Sequence, residues 1–187
     1  MHIVTLSSSI VGSKTALAMQ TVTQIAQETY PEATITAIDL RDKQLTFADG
    51  RHYTETTDDT LAVTNALMQA DAIIIGTPIF QASIPGTLKN LFDLLPERAF
   101  LDKVVSIVVT AGSSKHYLVA QTQLKPILDY MKAQVLPEIV FIEGTDFHRQ
   151  TITNSDILFR LTRLVEDTVT LTEVYQTLRQ RQDDALF

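Results

Sequence analysis

The stretch GTPIFQASIPGTLKNLFDLLP, residues 76–96, follows the apolar run ADAIIIG at 70–76, and its reading decides the fold. A short β-branched run of this kind is a buried strand, whereas LKNLFDLL carries the spacing of an amphipathic helix. Between the two lie prolines and polar residues where a plain strand-to-helix connection needs neither. Pro78 and Pro85 fix φ and lack a donor, so the connection is stiff, and Pro85 suits the first turn of the helix. A surface formed in advance loses little freedom when it holds a flat ligand. Phe80, flanked by Pro78 and Ile79, offers such a ligand an aromatic contact, and the amides from Gln81 to Ser83 reach toward polar ring atoms. The alternative is a core Phe80 and a Ser83 that caps the helix.

Outward from this stretch, short apolar runs alternate with helical stripes. HIVTL (2–6), ATITAID (33–39), DAIIIG (71–76), KVVSIVVT (103–110) and VLPEIVFI (135–142) read as strands. Helices are predicted at about 13–29, 58–70, 85–95 and 115–133, with a last one near 155–180 that aligns Ile157, Leu161, Leu164, Thr168, Leu171 and Tyr175. Parallel strands need crossovers, and right-handed crossovers place helices over both faces of the sheet. The expected fold is α/β: a three-layer α/β/α sandwich with five parallel strands in the flavodoxin-like order 2-1-3-4-5, as one domain over 1–187. The order comes from the class, not from the residues. The polar segment 40–57 is longer than an ordinary connection, and is a surface excursion, a subunit contact or part of a substrate rim.

In such a sheet, ligands bind beyond the carboxyl ends of the strands near the reversal of strand order, where the loops after strands one, three and four gather. The first loop, SSSIVGSKTALA (7–18), sets hydroxyls, a glycine and a lysine at a helix start whose amides lack partners. Ser9, Ser13, Lys14 and Thr15 are placed around a phosphate, with Val11 and Gly12 lining the loop between them. An ordinary N-cap is the alternative. Neither the Walker spacing nor G-x-G-x-x-G is present. The third loop, TAGSSKHYL (110–118), brings Thr110, Ala111, Gly112 and Ser113, whose amides face a charge on a ligand ring. His116 is a candidate acid or base, or a solvated capping residue.

Bulk properties narrow the classes. The chain has 187 residues, 45% hydrophobic and 20% charged, with a mean hydropathy of +0.09. A net charge of −7 and a pI near 5.0, with no basic run, argue against nucleic-acid binding. The absence of cysteine removes disulfides, thiolate metal sites and cysteine nucleophiles, and fits a reducing compartment. No apolar run approaches a bilayer span and no leader pattern opens the chain, so a cytoplasmic protein without membrane partners is expected.

Taken together, the three loops resemble the NAD(P)H-dependent FMN reductase family of the flavodoxin-like superfamily. GTPIFQASIPGTLKNLFD looks like that family's G-[ST]-P-x-[YF]-x-x-S-x-P-G-x-L-K-N-x-x-D signature at Gly76, Thr77, Pro78, Phe80, Ser83, Pro85, Gly86, Leu88, Lys89, Asn90 and Asp93. The resemblance covers most of residues 1–142, and LKPILDYMKAQVLPEIVF (124–141) is similar to the branch that supplies reduced flavin to sulfonate monooxygenases. Three departures stand out: Val11 where an arginine is common, Phe80 where tyrosine is frequent, and Thr122 where that branch often has a tyrosine.

The resemblance implies an oxidoreductase that binds FMN and takes hydride from NADPH or NADH at flavin N5, then passes electrons to a small-molecule acceptor: free flavin, a quinone, an azo compound or a metal oxyanion. The first loop then holds the phosphate, Pro78, Phe80, Gln81 and Ser83 line the ring, and Thr110, Gly112 and Ser113 face its N1 and O2. No catalytic side chain and no metal are expected, Lys89, Asn90 and Asp93 read as structural, and the working form is a homodimer or homotetramer. A flavodoxin-type carrier without nicotinamide chemistry and a ligand-free interaction module are the competing readings.

Overall fold

A computed structural model describes residues 1–184. Five parallel strands, β1 (His2–Ser7), β2 (Thr34–Asp39), β3 (Ala72–Pro78), β4 (Val104–Ala111) and β5 (Gln134–Glu143), form one sheet in the order β2-β1-β3-β4-β5. Five α-helices complete the layers: α1 (Lys14–Thr29), α2 (Asp58–Gln69), α3 (Gly86–Leu94), α4 (Lys125–Tyr130) and α5 (Ser155–Asp184). The doubly wound expectation therefore stands, with strand ends within two residues of those read from the sequence.

The apolar strands are split between two cores by their two-residue period. Val4, Leu6, Ile73, Ile75, Val105 and Ile107 pack under α2, α3 and α4 through Val63, Leu67, Leu88, Leu91 and Leu128. Ile3, Ile74, Val104 and Val108 pack under α1 and α5 through Ala18, Met19, Val22, Leu161 and Val165. Central strands must satisfy both layers, which is why β3 is buried along its whole length. Gly76 in β3 has a packing cause: a Cβ there would lie 2.3 Å from Met19 Cγ of α1. On α5 the inward stripe runs through the expected Thr168 and on to Thr172, with Leu171 half-buried against the same core and Tyr175 half-buried, and Ser106 of β4 meets the Thr168 hydroxyl at 2.5 Å.

Away from the strand ends that face the site, half-buried Lys103 donates to Met68 O and Ala70 O at 2.8 and 2.6 Å, a cation at the carboxyl end of α2. Burial holds its ammonium below the ordinary lysine value.

Two features depart from the periodic reading. The fourth helix, expected over 115–133, is broken into a 3₁₀ turn at Ser114–His116, a π-helical turn at Ala120–Leu124, and α4. A small hairpin, β6 (Phe147–His148) with β7 (Thr151–Ile152), precedes α5. At the sheet edge, Val105 pairs with Val135 and Ile107 with Ile139, so three residues of β5 centred on Pro137 bulge opposite Ser106.

Candidate functional site

The three loops converge at the carboxyl end of the sheet around a cavity of about 420 Å³. Its walls are Ser9 and residues 11–15 from the first loop, 78–80 from the second and 110–112 from the third. Of the residues selected from the sequence, only Gln81, Ser83, Ser113 and His116 fall outside this lining.

The first loop leaves β1 with Ser8 N–H donating to Gly76 O at 2.9 Å, which ties it to β3. Gly12 turns the chain with φ +77°, a conformation that favours glycine. Ser9 is buried, and its hydroxyl donates to Val11 O at 2.6 Å, so it shapes the loop and keeps only acceptor capacity. Ser13 precedes α1, is exposed, and makes no side-chain cap bond, which leaves its hydroxyl available. Thr15 is buried and shares a 2.6 Å bond with Thr110 Oγ1, joining the first loop to the third. Lys14 Nζ reaches Gly144 O at 3.3 Å and lies 5.7 Å from the centre of the Phe147 ring, so the late hairpin helps to hold the one cation of this loop.

The second loop is tighter than the sequence suggests. Phe80 and Ser83 exchange backbone hydrogen bonds of 3.0 and 2.9 Å around Gln81 and Ala82, at φ 49° and 56°. Two successive left-handed residues make a primed hairpin turn, here without glycine. The Ser83 amide is thereby spent on Phe80, and among the described residues the amides of Gln81 and Ala82 have no protein acceptor. Phe80 is 38% exposed, so it is not a core residue. Pro85 is buried just before α3, and its carbonyl accepts from Leu88 and Lys89 N–H at 3.1 Å.

In the third loop, the Ser113 hydroxyl accepts from Lys115 N–H at 3.2 Å and caps the short 3₁₀ turn that contains His116. Ser113 is therefore the cap, and His116 lies half-buried within the turn that it caps. Gly112 is exposed, lacks a positive φ, and an added Cβ would meet nothing within 4 Å. Neither backbone conformation nor packing asks for glycine there, and the residue lines the cavity.

Sequence reasoning passed over Ser8. Its hydroxyl and that of Ser7 are buried with no hydrogen-bond partner, although buried polar groups are almost always paired. The run of three serines was the available signal. Thr87 Oγ1 donates to Ser8 O at 3.3 Å, so the start of α3 also braces this loop.

Free hydroxyl and amide donors, one ammonium and a helix start at one end of a preformed cavity, with an aromatic ring at the other, fit a phosphorylated flat heterocycle. The match to known proteins is consistent with that geometry. Residues 1–148 match the family model described as NADPH-dependent FMN reductase. The chain belongs to that family. It is accordingly an NAD(P)H-dependent FMN reductase, with FMN as its flavin and NADPH or NADH as electron donor. An NAD(P)H-dependent FAD/FMN reductase of Geobacillus thermodenitrificans is 37% identical over 170 residues, 90% of this chain and 92% of that protein. An FMN reductase (NADPH) of Escherichia coli is 39% identical over 106 residues, 55% of this chain and 56% of that protein. Among solved structures, the apo form of the NADH:FMN oxidoreductase EMOB superposes with a TM-score of 0.76 at 24% identity, covering 89% of this chain and 87% of that one. Flavodoxin 1 of Bacillus cereus superposes at 0.66 with 17% identity over 91% and 98% of the two chains, a likeness of fold alone.

Proposed function

We propose that this FMN reductase binds FMN between its three loops, takes hydride from a reduced nicotinamide, and delivers the electrons to a small organic or inorganic acceptor. The observation that carries the reading is the cavity itself, whose three walls are contributed by the loops after β1, β3 and β4. When bound, the flavin supplies the redox chemistry, accepting hydride at N5 and releasing electrons to the acceptor.

The chain positions and stabilises. The Ser13 hydroxyl, the free amides at the start of α1 and the Lys14 ammonium hold the phosphate. Pro78, Ile79 and Phe80 form the apolar face of the ring site, and the tight turn at Gln81 and Ala82 presents its unpaired amides to the ring edge. Backbone donors around Ala111 and Gly112 oppose the opposite edge, where negative charge gathers on reduction. Ser9 and Thr15 act behind this surface: Ser9 fixes the loop through Val11 O, and Thr15 locks it to β4. Functional assembly as a homodimer or homotetramer belongs to this proposal, because a partner chain would complete the open side of the ring site.

Anaerobic titration of the FMN-loaded protein with NADPH and with NADH tests the reading. Bleaching of the flavin absorbance by either donor, and its return when an acceptor is added, is the expected result. A flavin that binds but stays oxidised with both donors would leave a flavodoxin-type carrier.

A further inference from the structure

A second cavity, of about 620 Å³, lies beside the FMN cradle. The two share Phe80, and Ile10 of the larger lies between Ser9 and Val11 of the smaller. Its outer wall is the polar segment after β2. Residues 43–48 form no regular structure, yet alternate amides are held by side chains from the two neighbouring helices. Gln44 N–H donates to Asp59 Oδ2 at 2.9 Å, Thr46 N–H to Thr60 Oγ1 at 2.9 Å, and Ala48 N–H to Asn90 Oδ1 at 2.9 Å. Asn90 Nδ2 returns a bond to Thr46 O at 2.9 Å, so one amide side chain replaces a neighbouring strand. Lys43 Nζ meets Asp59 at 3.0 Å, and the Gln44 N–H bond, followed by this lysine contact, holds the Asp59 carboxyl below its usual range.

The strap is thus fixed in position while the side chain at its middle is left unburied. Phe47 is 86% exposed, and with Phe80 and Ile10 it makes the apolar lip of the cavity. A phenyl ring held out on a pinned backbone contributes little to the fold and keeps its full contact area for another molecule. Gly86, which also lines the cavity, has nothing within 4 Å of where a Cβ would stand. These walls offer few groups to replace the hydration of a compact ion, and they suit a flat apolar ring system.

We propose that this vestibule is the electron-acceptor site, that its substrate class is neutral planar aromatic acceptors of naphthoquinone size rather than metal oxyanions, and that Phe47 is a specificity residue placed by Asn90. The inference rests on the reductase reading and names the acceptor within it. Overall, one hydride from NADPH and one proton from solvent convert a naphthoquinone to its hydroquinone, two electrons and two protons in all, while NADPH becomes NADP⁺.

The test compares menadione with ferricyanide as acceptors for the FMN-loaded protein, together with calorimetric binding of menadione to the flavin-free chain. Loss of one aromatic contact predicts that Phe47→Ala lowers the menadione-to-ferricyanide ratio of kcat/KM about tenfold, through KM. The same variant weakens menadione binding to the flavin-free chain, and Phe47→Tyr, which retains a ring, restores both. Because Phe47 is exposed, these variants leave the fold intact. Asn90→Leu, which frees the strap, shifts the ratio in the same direction as Phe47→Ala. An unchanged ratio with unchanged menadione binding overturns the proposal. It also falls if Phe47→Ala dissociates the protein into monomers without altering menadione binding, which would make the strap a subunit contact. Failure of NADPH to bleach the flavin would instead defeat the reductase reading, and the calorimetry still decides the vestibule.

Discussion

Ser13 and Thr15 stand two positions apart at the start of α1 and face different partners. Ser13 is exposed and unbonded, whereas Thr15 is buried and committed to Thr110. Ser13→Ala therefore removes a donor aimed outward: FMN affinity drops about tenfold, the scale of one hydrogen bond to a charged group, while riboflavin affinity is unchanged. Fluorescence titration with both flavins checks this, and equal weakening would exclude Ser13 from the phosphate site. The sequence showed which residue types gather at each loop, because hydroxyls, glycine and lysine before a helix carry their chemistry with them. It did not show how those hydroxyls are allotted. Ser9 turns inward to Val11 O and Ser113 caps its own turn, and both choices depend on loop paths fixed by distant contacts. The unpaired Ser8 hydroxyl was invisible for the same reason.

At the level of elements, Ser106 and Thr168 form a polar joint between β4 and α5 inside an otherwise apolar layer. Thr168 Oγ1 donates to Leu164 O at 2.5 Å, so the Ser106 hydroxyl is the donor between the two side chains. Thr168→Val strands that donor in the core and lowers unfolding free energy by about 1–3 kcal/mol. Adding Ser106→Ala removes the stranded group and recovers part of the loss. Urea unfolding of both single variants and the double variant measures the difference. Strands and most helices were legible because burial on one or two faces writes a period of two or about 3.6 into the side chains. The fourth helix was not, since a π turn at Ala120–Leu124 inserts a residue that leaves no mark in composition. The hairpin at 147–152 was missed because strands of two residues have no period to detect.

For the molecule as a whole, the site is a property of topology: three chain segments, far apart in sequence, meet only because β1, β3 and β4 are neighbours. FMN binding should therefore stabilise the entire domain. At a flavin concentration of about 100 times Kd the gain is about 2.7 kcal/mol, and circular dichroism melts with and without FMN should show the midpoint rising. Riboflavin at the same concentration should raise it less, and no rise with FMN would mean that the folded chain lacks the site. The strand order itself was an expectation from the class of fold, whereas the strap left no mark in the sequence, because its anchors Asp59, Thr60 and Asn90 come from two helices distant along the chain.

The bulge at Pro137 bears on how copies of this chain can meet. A flank that contains a residue with no amide hydrogen, and that kinks opposite Ser106, offers an incoming strand no unbroken ladder. Arg160 occupies the Ile139 carbonyl at 3.2 Å just beyond it. Growth of the sheet from one molecule into the next is thus blocked on the β5 side, and any quaternary arrangement using that flank must be built from helix surfaces instead.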